Sequence, residues 1–348
     1  MTRLFELIDR YRQGTCPVFA PGPFLSIEGM RAKGLQFDRV LKNAEDMAEA
    51  ALLNLDLGFE ATVIPFDTNV EAELIGCRVN YHEDVDGMPV YPTVGERWIQ
   101  TANDFELPKN LVEVGRISLI IAAIGLIKRK AADRAAIGAF IPGPFTLAGQ
   151  VLDPDRMYVT VLKQPDIIKG VLVKLTELLA QVRAAYVAAG VDFVIIEEGG
   201  ATLISPKVFE RMVFQPLKRL LDKNTVPHIL SLSGRSEKYM PLLVQTGADG
   251  IRVDQKCDIE QSLKDLPAGF PLLATCGTYD MLANSRPAEI QDAVWACLDR
   301  GVTQASPPAD MYPPARLENL EAFVEAHRSY PRRDPSGNDY PKIDPTKP

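Results

Sequence analysis

Eight short apolar segments recur along the chain, and segments with helical patterning separate most of them. Each is rich in Val, Ile, Leu, Phe or Ala, which is typical of strands buried on both faces of a parallel sheet. They are residues 17–20, 61–66, 136–141, 192–196, 227–232, 250–253, 271–275 and 302–305. Eight strand–helix units close most simply as a barrel, so the sequence predicts an α/β fold of the (β/α)8 TIM-barrel type.

The sequence contains neither an internal repeat nor a linker that would divide it, so we predict a single domain over residues 1–348. Residues 1–60 are predicted to form an N-terminal helical extension, with helices at 2–12 and 39–57, together with the first strand. Other helices are predicted at 70–77, 109–130, 166–189, 205–223, 237–246, 259–266, 287–300 and 314–326. A segment rich in Pro, Gly and Asp at 78–107 interrupts the alternation, and an irregular tail is expected at 330–348.

Charge and cysteine content exclude several classes of protein. The formal net charge is −8 and no block of Lys or Arg is present, which argues against nucleic acid as a partner. The 5 cysteines are odd in number and form no CxxC pair, so we expect reduced thiols and a cytoplasmic protein. No apolar run reaches the ~18 residues that a membrane span needs. Nucleotide-binding glycine loops and the HExxH and GxSxG motifs are also missing.

Polar side chains follow several of the predicted strands. In a barrel of this type the carboxyl ends of the strands form the rim that carries the chemistry. The side chains expected there are Asp67, Glu197, Glu198, Ser231, Ser233, Arg235, Asp254 and Cys276. We predict catalytic roles for the four carboxylates, because clustered carboxylates can act as acid and base or hold a metal. Substrate binding is assigned to Ser231, Ser233, Arg235 and Cys276, and to Phe145 and Thr146 after the third strand. Alternatively, each residue is only the solvated polar end of a strand.

Five stretches of the chain resemble the uroporphyrinogen decarboxylase superfamily and, within it, the cobamide-dependent methyltransferase branch. They are residues 64–81, 141–152, 189–209, 247–259 and 306–323, which spread over nearly the whole chain. The resemblance implies the same barrel fold. It also implies a methyltransferase that moves a methyl group between a small molecule and the cobalt of a corrinoid (cobalamin) carried by a partner protein.

One feature departs from the thiol-methylating members of that branch, which hold zinc with a His-x-Cys pair after strand five and a Cys after strand eight. Here Ser231-Leu232-Ser233 stands at the first place, and residues 306–310 contain no Cys. Methyl transfer to a thiol is therefore less well supported. The favoured reaction is methyl transfer from an ether, such as a methoxylated aromatic cleaved by an O-demethylase component. Zinc stays an open question, with Glu197, Glu198 and Cys276 as the candidate metal ligands.

Two alternatives to methyl transfer remain. Asp67 falls where the decarboxylases of the superfamily place their catalytic Asp. However, the stretch APGPFLS at 20–26 lacks the arginines that a polycarboxylate porphyrinogen needs. The second alternative is a non-catalytic partner of a corrinoid protein. We expect a corrinoid protein and a small methyl donor as partners, neither nucleic acid nor membrane, and an oligomeric state that the sequence leaves open, with a homodimer among the options.

Overall fold

Seven parallel strands form one sheet in which neighbouring strands follow one another in the chain. The computed structural model describes residues 18–20, 22–85, 88–131, 134–222, 225–278, 280–307 and 315–331. The strands of the sheet are β1 (Ala61–Ile64), β4 (Ala136–Pro142), β5 (Phe193–Glu197), β6 (His228–Leu232), β7 (Gly250–Val253), β8 (Leu272–Thr275) and β9 (Gln304–Ser306). A separate hairpin in the segment 78–107 pairs β2 (Val79–Asn80) with β3 (Thr93–Val94).

Helices cover the outer face of the sheet, as a strand–helix alternation requires. They are α1 (Ile27–Ala32), α2 (Phe37–Lys42), α3 (Ala44–Asp56), α4 (Val70–Leu74), α5 (Gly115–Ala131), α6 (Pro144–Val151), α7 (Pro154–Lys163), α8 (Pro165–Ala189), α9 (Pro206–Met212), α10 (Phe214–Leu220), α11 (Met240–Leu243), α12 (Ile259–Asp265), α13 (Met281–Asn284), α14 (Pro287–Asp299) and α15 (Leu317–Arg328). Short 3-10 turns flank α5, α9 and α11.

Within the described residues, the eighth strand of the barrel is reduced to a single β-bridge. Phe19 forms an isolated parallel bridge with Ala61 of β1. On the other side of this seam, the Gln304 side-chain amide of β9 donates a hydrogen bond to the Phe19 carbonyl. A side chain therefore completes the closure between the last strand and the first. The predicted (β/α)8 barrel-type fold is confirmed.

The interior of the barrel is apolar in the part nearer the amino ends of the strands. Its buried core comprises Phe19, Ala61, Val63, Ala136, Phe140, Phe193, Ile195, Ile229 and Leu273, which all face inward from the strands. Gly138 makes room for the Phe193 ring, because a Cβ at residue 138 would lie 2.5 Å from that ring. A second and larger core fills the space between the sheet and the helices. The hydrophobic effect acting on these two layers holds the sheet in its curled form.

Several predicted helices differ from those observed. The helix predicted at 39–57 is two helices, because the Asn43 side chain accepts a hydrogen bond from Asp46 N at 3.0 Å and starts α3. The helix predicted at 205–223 breaks at Val213, since Pro216 lacks the N–H that would bond back to Met212. The helix predicted from 109 begins at Gly115. Helices α1, α6, α7 and α13 were not predicted.

Part of the predicted organisation lies outside the described residues. The helix expected at 2–12 and most of the tail at 330–348 belong to that part, so the single-domain arrangement over 1–348 stays a prediction. Within the described residues, none of the helices is both long and apolar enough to span a bilayer. The cytoplasmic location also stays a prediction.

Candidate active site

A polar layer lies above the apolar interior, towards the carboxyl ends of the strands. Glu197 of β5 pairs in register with Ser231 of β6, and Ser231 pairs with Arg252 of β7. Residues paired across parallel strands point to the same face. Because Ile195 and Ile229 face inward two residues earlier, all three side chains point into the barrel.

Contacts in this layer centre on Glu197. The Ser233 hydroxyl donates to Glu197 Oε1 at 3.0 Å. Arg252 Nη1 lies 3.9 Å from Glu197 Oε2 and donates to Ser231 Oγ at 3.2 Å. The structure therefore brings Glu197, Ser231 and Ser233 together, and their catalytic and substrate-binding roles stay predictions.

Arg252 belongs to this layer and was not among the residues predicted from the sequence. Burial lowers the pKa of its guanidinium, and the carboxylates of Glu197 and Asp254 act in the opposite direction. The available signal was strand alternation: if Asp254 follows β7 at the rim, residue 252 two positions earlier faces the same way. A charged residue in the middle of an apolar strand was the anomaly that pointed to the site.

Asp254 supports the layer through the backbone. Its side chain accepts hydrogen bonds from Gly234 N at 2.7 Å and from Lys256 N at 2.5 Å. Gly234 has a φ of +80°, which favours glycine at that turn. Asp254 thus fixes the loop after β6 that carries Ser233, and this contact gives it a positioning role.

Glu198 points away from Glu197. It is fully buried and accepts hydrogen bonds from Phe145 N at 3.1 Å, from Thr146 N at 2.7 Å and from Thr146 Oγ1 at 2.8 Å. These groups lie at the start of α6, where backbone N–H groups favour a carboxylate. Burial raises the pKa of Glu198 to about 7, although the three hydrogen bonds oppose that rise. Glu198, Phe145 and Thr146 therefore form a contact between β5 and α6 that is separate from the polar layer.

Asp67 lies in a different buried cluster. Its side chain accepts a hydrogen bond from Asn69 N at 2.6 Å and forms an ion pair with Arg116 at the start of α5. Arg116 also bonds Glu73 Oε2 at 2.6 Å. Burial raises the pKa of the neighbouring Glu71 to about 8, against its own backbone hydrogen bond. None of these groups contacts Glu197 or Arg252 within the described residues.

The two remaining predicted rim residues do not join the layer either. Arg235 is exposed to solvent. Cys276 is buried on the outer side of the sheet, one residue beyond the inward-facing Thr275, and burial raises the pKa of its thiol. The Cys297 thiol of α14 adds to that rise, which places Cys276 under this helix.

Two further inward-facing hydroxyls were also missed. Thr275 of β8 pairs in register with Ser306 of β9, and both are almost fully buried. Neither hydroxyl has a hydrogen-bond partner among the described residues. Buried polar groups are normally paired. These two therefore extend the polar layer across the next two strands.

A resident metal does not fit these residues. The three candidate ligands diverge, since Glu197 faces inward, Glu198 binds the start of α6 and Cys276 lies under α14. In the part of the chain that the structure describes, His, Cys, Asp and Glu side chains nowhere form a group of three or more suited to a metal ion. Ser231 and Ser233 also offer neutral hydroxyls where a thiolate-type site needs soft ligands.

Comparison with known proteins identifies the family. The model of the family described as "Uroporphyrinogen decarboxylase (URO-D)" matches residues 1–330, so the chain belongs to this family. The methylcobamide:CoM methyltransferase MtbA of Methanosarcina acetivorans is 25% identical over 335 residues, which cover 94% of this chain and 97% of MtbA. The uroporphyrinogen decarboxylase of Anaeromyxobacter dehalogenans is 23% identical over 76% of this chain and 78% of its own length.

Among solved structures, a methyltransferase from Methanosarcina mazei superposes with a TM-score of 0.84. It covers 91% of this chain and 94% of its own, at 23% sequence identity. That likeness shows the fold. The family model and the relatives confirm the predicted membership of the superfamily and the resemblance to its methyltransferase branch.

Proposed function

We propose that this member of the uroporphyrinogen decarboxylase family is a methyltransferase that moves a methyl group between a small molecule and the cobalt of a corrinoid on a partner protein. The observation that carries the reaction class is the similarity to MtbA over 94% of this chain. The decarboxylase from Anaeromyxobacter matches a smaller share, 76%. The polar layer above an apolar interior offers a place in which a small molecule can be oriented.

The methyl donor that fits best is an ether, and a methoxylated aromatic is the favoured class. When a partner protein docks, the reduced cobalt of its corrinoid would supply the electron pair that takes up the methyl group. The carbon–oxygen bond of the ether breaks, and the leaving oxygen needs a proton. Glu197, the carboxyl group that faces into the polar layer, takes a proton from solvent and passes it to that oxygen, and Ser233 orients it through the 3.0 Å hydrogen bond.

A thiol as the reacting group has less support from the residues. A thiol is activated when its pKa falls, which requires a metal or a nearby cation. The polar layer offers hydroxyls from Ser231 and Ser233 at the place where thiolate-type ligands would be needed. Arg252 is a cation in this layer, but Glu197 lies 3.9 Å from it and partly offsets its charge.

The experiment that tests the proposal mixes the pure protein with free cob(I)alamin, or with a purified corrinoid protein reduced to Co(I). Methoxylated aromatics, methylamines and methanol are offered as donors. We expect the visible spectrum to change to that of methyl-Co(III) with at least one methoxylated aromatic, together with release of the corresponding phenol.

A decarboxylase would give a different result in a parallel assay. Formation of coproporphyrinogen from uroporphyrinogen, with no methyl transfer from any donor, would contradict the proposal. Association with a corrinoid protein without turnover would contradict it too, and would favour the non-catalytic partner role.

A further inference from the structure

Arg252 is a cation inside the barrel whose contacts leave one edge of its guanidinium group free. All its hydrogen bonds and ion pairs with described residues run through Nη1, which contacts Ser231 Oγ and Glu197 Oε2. Its Nε is buried and has no hydrogen-bond partner among those residues. Nε and Nη2 together form the edge of the guanidinium fork that binds a carboxylate through two parallel hydrogen bonds.

Glu197 does not saturate this cation. The 3.9 Å distance between Arg252 Nη1 and Glu197 Oε2 is longer than a hydrogen bond, and the carboxylate is engaged by the Ser233 hydroxyl instead. A largely buried arginine without a bonded anion is unfavourable, because its lost hydration is only partly replaced. Two carboxylates, Glu197 and Asp254, therefore lie near Arg252, but neither forms a hydrogen bond with its Nε–Nη2 edge among the described residues.

Unpaired hydroxyls lie on the strands next to Arg252. Arg252 pairs in register with Leu273, and Thr275 follows two residues later on the same face of β8. Ser306 lies beside Thr275. With strands about 4.8 Å apart and a rise of about 6.6 Å over two residues, the Cα atoms of Arg252 and Thr275 are roughly 8 Å apart. A small ligand can span that distance.

We propose that the Nε–Nη2 edge of Arg252, with the hydroxyls of Thr275 and Ser306, binds a carboxylate group of the small-molecule substrate. Two parallel donors on the arginine match a planar carboxylate, and the hydroxyls supply donors to the rest of the bound molecule. This inference deepens the proposed function and rests on it for the reaction. It makes the methyl donor a methoxylated aromatic acid rather than a neutral ether.

The test measures binding by isothermal titration calorimetry on the full chain, without any corrinoid. The probes are 3-methoxybenzoate, benzenesulfonate and the neutral ether anisole. We expect Arg252→Met to weaken methoxybenzoate binding by about 30-fold or more, and Arg252→Lys to weaken it by about 5- to 10-fold, because lysine keeps the charge and loses the fork. Arg219→Met, at an exposed position on α10, is the matched control and is expected to leave binding unchanged.

Three results would overturn the proposal. The first is equal affinity of the wild type and a folded Arg252→Met variant for methoxybenzoate. The second is tighter binding of benzenesulfonate than of methoxybenzoate. The third is that Arg252→Met weakens anisole binding as much as it weakens methoxybenzoate binding. If Arg252→Met does not fold, unchanged binding by Arg252→Lys and by the double variant Thr275→Val and Ser306→Ala has the same meaning.

The binding assay also separates this proposal from the proposed function. Binding that depends on Arg252, in a protein that transfers no methyl group to cob(I)alamin, would refute methyl transfer and leave the carboxylate subsite standing. Methyl transfer by a protein whose ligand binding ignores Arg252 would refute the subsite alone.

Discussion

Glu197 and Glu198 are neighbours in the chain, but their side chains leave the strand end in different directions. Glu197 faces into the barrel and accepts a hydrogen bond from Ser233, whereas Glu198 accepts three from the start of α6. The same side chain thus acts in two environments at adjacent positions. Substituting each by Gln separates a chemical role from a structural one.

The first prediction concerns Glu197→Gln. Gln keeps the size of the side chain and an oxygen for Ser233, but it can neither give nor take the proton that the leaving oxygen requires. We expect the rate of methyl transfer to fall about 100-fold or more, with little change in the free energy of unfolding. The measurement is the initial rate of methyl-Co(III) formation, alongside urea unfolding. An unchanged rate would remove Glu197 from the chemistry.

The second prediction concerns Glu198→Gln. The two carboxylate oxygens accept from N–H groups of both Phe145 and Thr146, so the amide NH2 of Gln must face one of these donors. We expect the free energy of unfolding to fall by about 1–3 kcal/mol, because a buried donor is left unpaired. Urea unfolding at pH 8 measures the loss. A variant as stable as the wild type would contradict the capping role.

The third prediction concerns the pH dependence of stability near Asp67. Since burial raises the pKa of Glu71 from 4.5 to about 8, the folded chain holds a proton that the unfolded chain releases in this range. The contribution of Glu71 to stability is therefore present below pH 4.5 and lost as the pH rises through about 8. Between these values the loss is at most about 1.4 kcal/mol per pH unit.

Glu71→Gln removes that proton equilibrium and keeps a neutral side chain in place. We expect the stability of the wild type relative to this variant to decrease between pH 6 and pH 9, measured by urea unfolding at three pH values. Parallel stability curves for the two proteins would show that the Glu71 proton is not retained in the fold.

At the scale of one element, α6 begins where it does because of a contact with β5. Gly143 precedes its first turn, and Pro144 occupies the first helical position. A Cβ at residue 143 would lie 2.2 Å from Glu198 Oε2, so only glycine lets the carboxylate reach the N–H groups of the helix. The start of α6 is thus fixed by a tertiary contact.

The fourth prediction compares two glycines next to and within α6. Gly143→Ala displaces the Glu198 carboxylate, and we expect unfolding to be easier by about 1–3 kcal/mol. Gly149→Ala is the matched control, since its Cβ would meet Met157 Sδ at 3.8 Å, an ordinary contact. Because Ala favours helix over Gly, we expect no loss, or a gain of up to about 1 kcal/mol. Thermal and urea unfolding measure both, and equal effects would refute the contact.

At the scale of the whole molecule, the barrel closes through few bonds. Phe19 touches β1 through one bridge, and Gln304 reaches the Phe19 carbonyl from β9. On the β1 side, Val18 N donates to Glu60 Oε2 at 2.9 Å and Glu60 N donates to Val18 O at 2.6 Å. The seam beside Phe19 is thus held by side chains as much as by backbone.

The fifth prediction concerns Gln304→Ala. Loss of the amide leaves the Phe19 carbonyl without this donor, and we expect a destabilisation of about 1–3 kcal/mol. Amide hydrogen exchange measured by mass spectrometry should rise in peptides that cover residues 18–20 and residue 60, because those amides lie at the seam. Gln261→Ala, on the exposed face of α12, is the control. Unaltered exchange at the seam would contradict the closing role.

Much of the architecture could be predicted because it depends on local patterns. Apolar runs gave the strands, and Ser205 was read as the start of a helix, where its side chain accepts from Val208 N at 3.4 Å. Helix α6 was not predicted because Pro142-Gly143-Pro144 is typical of a turn. The group that caps the first turn of α6 is the carboxylate of Glu198, more than fifty residues away in the chain.

The candidate site was predictable in part for the same reason. Strand alternation is enough to place Ser231 on the inner face, and the same argument would have found Arg252 and Thr275. For Asp67, Cys276 and Arg235, position near a strand end did not specify the direction of the side chain. An ion pair with Arg116, packing under α14 and exposure to solvent decided these three.

The sequence by itself determined that the chain forms parallel strands with helices between them and that polar groups follow the strands, because period and burial are local properties of a chain. Only the tertiary structure decided which of those groups share a site. The direction of a side chain at a strand end depends on partners from distant segments, as the separate fates of Glu197 and Glu198 illustrate. Their different electrostatic environments exist only once the barrel and α6 are in place.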